Sequence, residues 1–371
     1  MKVKRRKTRL IGLLCGIILC FSSIHLSAQT FSVDITNSAY CEDVLAQMYH
    51  EATPRTVSDE GIIDFSNSFL LYNFAEEPIA IFYKLAPVGY AIYDFTNGIV
   101  LQYTTDNEHQ FYVDKNEHYY YQGILEYYVH TNEGYLNLAT GSIKELNAQD
   151  YSFSPNDFYV NEVAINETDI DTCSATEGPV ILNKTTRLYN CNKEVNFPLF
   201  YPDKTAEELA ECPGVCGSVA VGIMLECYDD YYTDLPDGYS FIDSDVKMSN
   251  AYCEDIYGLE LVKRLIPYIE PGANGSYFLN PGVSSYFADR GISGGAQLGV
   301  LAVYLQTKDS IGANGTGYPL IVATSNHFMV GIGYQNTTQK QIYVNNGRGG
   351  KEWVNANTII CTWTFMISGT M

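Results

Sequence analysis

Beyond residue 150 the 371-residue chain carries one histidine, His327, so any imidazole chemistry in its C-terminal half rests on that ring alone. His25, His50, His109, His118 and His130 all come earlier. Positive charge is scarce too: 22 Lys and Arg stand against 43 Asp and Glu, a formal net charge of −21. Such an acidic chain repels the phosphate backbone, which excludes electrostatic binding of nucleic acid. Past the N-terminal leader no apolar run approaches the roughly 20 residues that cross a bilayer, so no membrane span is expected. No internal repeat or low-complexity tract is present. Cys212, Cys216, Cys227 and Cys253 do not have zinc-ribbon spacing, and the acidic loop Asp229, Asp230, Asp234, Asp237, Asp243 and Asp245 lacks the regular ligand spacing of a calcium loop. No metal or other cofactor is therefore expected. Carboxylates also run out: C-terminal to His327 there is only Glu352.

What is present begins with a leader. Lys2, Lys4, Arg5, Arg6, Lys7 and Arg9 precede the apolar run Leu10 to Phe21, and small polar residues lead to Ser27-Ala28. That order predicts a signal peptide over residues 1–28, cleaved after Ala28, and a secreted or extracellular protein. A lipid anchor at Cys20 is disfavoured because Leu19, not a small residue, precedes it. Taking the leader's six basic residues from the 22 leaves 16 against 43 acidic ones, a net charge of −27. Eight cysteines remain, and in an exported chain an even count points to disulfides.

Hydrophobic periodicity divides the rest. Residues 39–51 read as a helix, followed by strands at 68–74, 79–85, 89–95, 98–104, 119–130 and 134–139, with Asn97-Gly98 marking a hairpin. Residues 29–150 thus form a helix-plus-antiparallel-sheet domain of α+β class. From 151 to 194 the pattern dissolves into polar residues, a linker in which Lys184-Thr-Thr-Arg187 would offer an accessible maturation site. Residues 195–371 form a second α+β domain. A capping box at Thr205-Ala-Glu-Glu208 opens its helices, which continue at 255–265, 284–289 and 296–307; strands follow at 320–324, 328–334, 341–344 and 358–366.

The chemistry centres on Cys212-Pro-Gly-Val-Cys216-Gly-Ser-Val-Ala-Val-Gly-Ile-Met-Leu-Glu-Cys-Tyr228. Pro213 and Gly214 punctuate the chain, and Val219, Ala220, Ile223, Met224 and Cys227 recur at helical spacing. Cys216 falls in the first turn, where orphan N–H groups and the helix dipole favour a thiolate. His327, at the head of the strand-like His327-Phe-Met-Val-Gly-Ile-Gly-Tyr334, is its candidate base. Gln341-Ile-Tyr-Val344 then delivers Asn345 and Asn346 to a Gly-rich turn, and Asn345 is assigned as the amide that orients the imidazole. Asn-Gly also suits a plain tight turn.

A Cys on a small-residue helix, a later His heading a Val/Gly strand, and Val344-Asn345-Asn346-Gly347-Arg348-Gly349-Gly350 resemble, in that order, the papain-like cysteine peptidases. The streptopain-like and double-glycine-leader-peptidase-like secreted bacterial branches are the nearest in pattern. The resemblance covers roughly residues 195–366. It implies a two-lobed domain, a helical lobe carrying Cys216 and an antiparallel sheet lobe carrying His327 and Asn345, with the site in the cleft. It implies hydrolysis of a protein or peptide substrate through a Cys216–His327–Asn345 site. It further implies that residues 29–150 are an inhibitory prosegment; a permanent binding or stabilising domain is the alternative. It also implies a disulfide from Cys212 to Cys253. The family usually adds an oxyanion-binding Gln upstream of the nucleophile, but none stands between Gln149 and Gln297, and Asn196 is the nearest substitute. The aromatics that flank the family's turn are absent as well. A catalytically silent papain-fold binding protein is the rival reading. A transglutaminase-like acyl transferase shares the Cys-then-His order but wants an Asp after the His, and none follows.

Overall fold

Alternating aromatic and β-branched residues build the N-terminal half as a meander laid beside one helix. The computed structural model describes residues 33–48, 62–106, 117–139, 141–159, 176–189, 200, 204–205, 214–244, 252–253, 256–269, 279–300 and 302–370. The leader expected over 1–28 lies outside them, and Ile35–Met371 form one compact unit. Helix α1 (Ser38–Met48) buries Cys41, Val44, Leu45 and Gln47, the three- and four-residue spacing of one face. Strands β1 (Ile63–Tyr72), β2 (Pro78–Leu85), β3 (Tyr90–Asp94) and β4 (Ile99–Thr104) pair antiparallel in sequence. Then come β5 (Tyr119–Tyr121), parallel to β1, and β6 (Tyr127–Thr131), β7 (Gly134–Asn137) and β8 (Ile143–Lys144). The run expected as one strand over 119–130 is broken at Gly123, whose φ of +138° turns the chain back. Leu71, Ile79, Phe82, Tyr90, Ile92, Leu101, Tyr119, Tyr121, Tyr127 and Phe158 form the core of this half.

Of the expected linker over 151–194, residues 151–159 and 176–189 are described. They include β9 (Glu177–Ile181), paired with a later strand, and β10 (Leu188–Tyr189). Within Lys184–Arg187, Thr185 is exposed while Thr186 is 2% exposed, and Arg187 donates to Asp230 at 2.8 Å. Tertiary pairing supplied the order that local composition did not.

The C-terminal half contains α2 (Cys216–Tyr231), β11 (Tyr252–Cys253), α3 (Ile256–Leu265), α4 (Leu279–Asp289), β12 (Ile292–Gly299) and α5 (Val303–Ile311). After these come β13 (Leu320–Ala323), β14 (Phe328–Asn336), β15 (Lys340–Asn345), β16 (Lys351–Asn355) and β17 (Cys361–Thr370). The helix expected over 296–307 is instead the end of β12 and most of α5. Ala296 and Leu298 pair with Phe365 and Trp363 of β17, and that ladder outweighs a weak helical period. Helix α2 is buried on every side from Gly217 to Tyr228, not on one face as an amphipathic helix would be.

One sheet runs through both halves, in the order β12-β17-β13-β14-β15-β16-β4-β3-β2-β1-β5-β6-β7-β8, with β9 added on β14. The junction is antiparallel pairing of β16 with β4, Trp353 opposite Tyr103 and Val354 opposite Gln102. The mixed α+β class agrees with expectation. A separate helical lobe does not stand out: α2 lies on β13 and β14, α5 on β14, β15 and β17, and α4 on β12. Among the described residues no helix is long and apolar enough to cross a membrane.

Candidate active site

Three pieces of chain meet beside the first turn of α2. The helix begins at Cys216 with Val215 as N-cap and no side-chain cap, so its first N–H groups are left to other acceptors. Gly217 follows, packed so closely that a Cβ there would lie 3.3 Å from side-chain methyls of both Ile269 and Leu279. One turn on, Val219 packs against the turn that links β15 to β16. A Cβ on Gly347 would sit 2.9 Å from Val219 Cγ1, and Gly347 has a φ of +71°. Glycine is needed at that position on both counts.

The Cys216 thiol is reached by the Phe328 backbone N–H at the head of β14, the residue after His327. Burial raises its pKa. The N–H groups of Phe328, Gly217 and Cys216 and the Arg348 guanidinium pull the other way without prevailing. The depressed value expected of a helix N-terminus is therefore not reached, because desolvating the thiolate costs more than the helix end returns. Cys216 is a free thiol, as are the buried Cys41, Cys227 and Cys361.

His327 is 7% exposed. Burial, and after it the Arg348 charge, push its pKa down to about 3, with the Asn346 carbonyl opposing. Its Nε2 lies 2.9 Å from the main-chain oxygen of Asn346. A carbonyl only accepts, so Nε2 carries the hydrogen and Nδ1 is left with the lone pair. Among the described residues no hydrogen bond joins the thiol to the imidazole.

The Asn345 side chain makes its hydrogen bonds away from the ring. Its Nδ2 donates to the Arg187 carbonyl at 2.8 Å and its Oδ1 accepts the Gly347 N–H at 3.1 Å. The contact to the ring comes from the main-chain oxygen of the neighbouring Asn346. The Asn346 carboxamide closes the turn, accepting from the N–H groups of Arg348 (3.0 Å) and Gly350 (3.2 Å). Its Nδ2 donates to Glu352 Oε1 at 3.0 Å.

Glu352 and Arg348 are the residues that sequence reasoning passed over. Glu352 is 2% exposed, and burial raises its pKa against hydrogen bonds from Tyr90 and Asn346. Its signal was visible as the sole carboxylate after His327. Arg348 stands where the resemblance leads one to expect an aromatic, and it donates from Nη1 to the Ala139 carbonyl of the N-terminal half at 2.7 Å. Asn196 and Cys212 lie outside the described residues, as does the side chain of Cys253, so the oxyanion and disulfide assignments have no geometry to set against them. Among the described residues no three His, Cys, Asp or Glu side chains gather as a metal would need.

No protein-family model matches the chain, and no curated protein matches it. Among solved structures, the chain is similar to a fragment of Prevotella intermedia prointerpain A carrying a cysteine-to-alanine mutation. The two share 14% identity, the TM-score is 0.41, and the match covers 80% of this chain and 98% of that one.

Proposed function

We propose that this chain is a cysteine peptidase, hydrolysing peptide bonds by acyl transfer at Cys216 with His327 as base. The observation that carries the reading is a pair of contacts at the head of β14: the His327 ring on the Asn346 carbonyl, and the Cys216 thiol on the Phe328 N–H. The Asn346 carbonyl takes the Nε2 hydrogen, which leaves Nδ1 as the basic nitrogen, and the thiol lies against the N–H of the very next residue. Both groups are uncharged at neutral pH, so the proposed sequence is general-base catalysis rather than a preformed ion pair. As the sulfur attacks the carbonyl, its proton passes to Nδ1. The tetrahedral oxyanion is met by the Cys216 N–H, with Asn196 proposed as second donor. His327 returns the proton to the leaving amine, which departs and leaves a thioester. Water, deprotonated by His327, then attacks that thioester, freeing the acid and restoring the thiol.

Of the two roles open to residues 29–150, the shared sheet supports the permanent one. Inhibition by a removable prosegment would require β16 to give up its β4 partner. The rival for the whole chain, a silent fold used for binding, draws support from the raised thiol pKa and the absent sulfur-to-imidazole hydrogen bond.

The deciding experiment is acylation by p-nitrophenyl acetate, followed by nitrophenolate release and by peptide mass mapping. We expect acetyl transfer to Cys216 in the native chain, slowed by about 100-fold or more in His327→Ala, the usual contribution of a positioned base. Acetylation of Cys216 no faster than that of free cysteine, and indifferent to His327, would assign the silent fold.

A further inference from the structure

We infer that Glu352 is a positioning residue for His327, acting through Asn346, and that Tyr90 and Gln102 from the N-terminal half complete the device. The inference rests on reading His327 as the base of the proposed peptidase. It starts from a chain of contacts: ring Nε2 to Asn346 carbonyl at 2.9 Å, and Asn346 Nδ2 to Glu352 Oε1 at 3.0 Å. On the far side of the carboxylate, Glu352 Oε2 accepts from the Tyr90 hydroxyl and from Gln102 Nε2 at 3.3 Å. The Gln102 side chain is itself located: its Oε1 accepts from the Tyr121 hydroxyl at 3.2 Å, and the two hydrogens of its Nε2 are shared among Glu352, Tyr127 and the Tyr90 hydroxyl at 3.2 Å.

A carboxylate this deep is costly to desolvate, and shape alone would be served by a leucine or methionine. What a carboxylate offers, and an apolar group does not, is acceptors for donors on both of its sides at once. Those donors come from the histidine's own turn on one side and from strands β3 and β4 on the other. The Asn346 side chain has no freedom left. Its oxygen takes two turn N–H groups, its nitrogen is held by Glu352, and its main-chain N–H donates to the Gly350 carbonyl at 3.1 Å. The peptide carbonyl that faces the imidazole is fixed as a result. Because a carbonyl can only accept, the fixed carbonyl selects the Nε2–H tautomer and keeps the lone pair on Nδ1. Orienting groups behind a reactive ring act in this way generally, and a displacement of about 1 Å can cost about 100-fold in rate.

The substitution Glu352→Gln tests the device. A glutamine has one acceptor oxygen, and its amide would confront at least one of the Asn346 and Gln102 amide donors. Tyr90→Phe is the milder variant: it removes one hydroxyl, keeps the ring, and carries the test if Glu352→Gln does not fold. The readout is the tautomer of His327 in the full chain labelled with 15N-histidine, from long-range proton–nitrogen spectra at pH 7, its signals assigned by their loss in His327→Gln. We expect one Nε2–H tautomer in the native chain, an appreciable Nδ1–H population in Glu352→Gln and a smaller one in Tyr90→Phe. Acetylation of Cys216 should fall about tenfold or more in Glu352→Gln and less in Tyr90→Phe. An unchanged His327 tautomer in the variants overturns the inference, whatever happens to the rate. A tautomer that depends on Glu352 in a chain that never acylates Cys216 upholds the positioning and removes the peptidase reading instead.

Discussion

At neutral pH the two groups on which the proposed chemistry rests are both uncharged, and burial moves each further from its charged form. It raises the Cys216 thiol and pushes His327 down to about 3. An unfolded imidazole takes up its proton near pH 6.5. Between that value and about 3 the unfolded chain therefore binds the proton and the folded chain does not. Stability rises with pH through this window and is lost as pH falls through it. Two measurements follow from the same shift. The acid limb of Cys216 acetylation should lie near pH 3 to 4 rather than near 6.5, followed over the range where circular dichroism reports a folded chain. The loss of thermal stability between pH 7 and 4 should be smaller in His327→Gln than in the native protein. An acid limb near 6.5 would mean that the ring is solvated as a free histidine is.

At the scale of elements, the site depends on how closely the turn after β15 approaches α2. Gly347 allows that approach by having no side chain toward Val219 and by tolerating a φ of +71°. Gly347→Ala adds a left-handed strain of about 1 to 2 kcal/mol for a residue with a Cβ. It also forces the turn off the helix, because the new carbon would lie 2.9 Å from Val219 Cγ1. We expect a fall in unfolding free energy of about that size or somewhat more, measured by urea denaturation, with Cys216 acetylation reduced by about 100-fold as the Asn346 carbonyl shifts. A variant that is destabilised but acylates normally would place the turn outside the reaction. Much of this local arrangement was legible in advance. Pro213 and Gly214 announce a helix, and α2 starts at Cys216. His327 immediately precedes β14, and Asn345 ends β15. What could not be read was which polar atom of the Asn345-Asn346 pair would meet the ring, because that depends on the facing of two strands and not on residue type.

For the whole molecule, the consequence of β4 pairing with β16 is that the two halves share backbone hydrogen bonds as well as side-chain contacts. Gln47 of α1 adds a hydrogen bond to Gln341 of β15 at 2.6 Å, and Arg348 reaches back to Ala139. A chain cut at a protease site engineered between residues 160 and 175 should therefore elute as one particle in size-exclusion chromatography. The intact chain should melt in a single calorimetric transition. We also expect Cys216 acetylation in the cut chain to match that of the intact one. A faster rate on cutting, with the fragments separated, would restore the inhibitory role for residues 29–150.

By itself the sequence determined the α+β class, most of the strands, the helix at Cys216 and the single histidine of the C-terminal half. These are local matters: period, turn residues and simple scarcity. The tertiary structure alone decided that β9 and β10 would order part of an apparent linker, that the halves would join in one sheet, and that Glu352 would be enclosed by partners far along the chain. Tyr90 and Gln102 lie 262 and 250 residues from it in sequence. Alternation tells a strand which face to bury but not which strand to pair with, so contacts across that distance become visible only when the sheet is assembled.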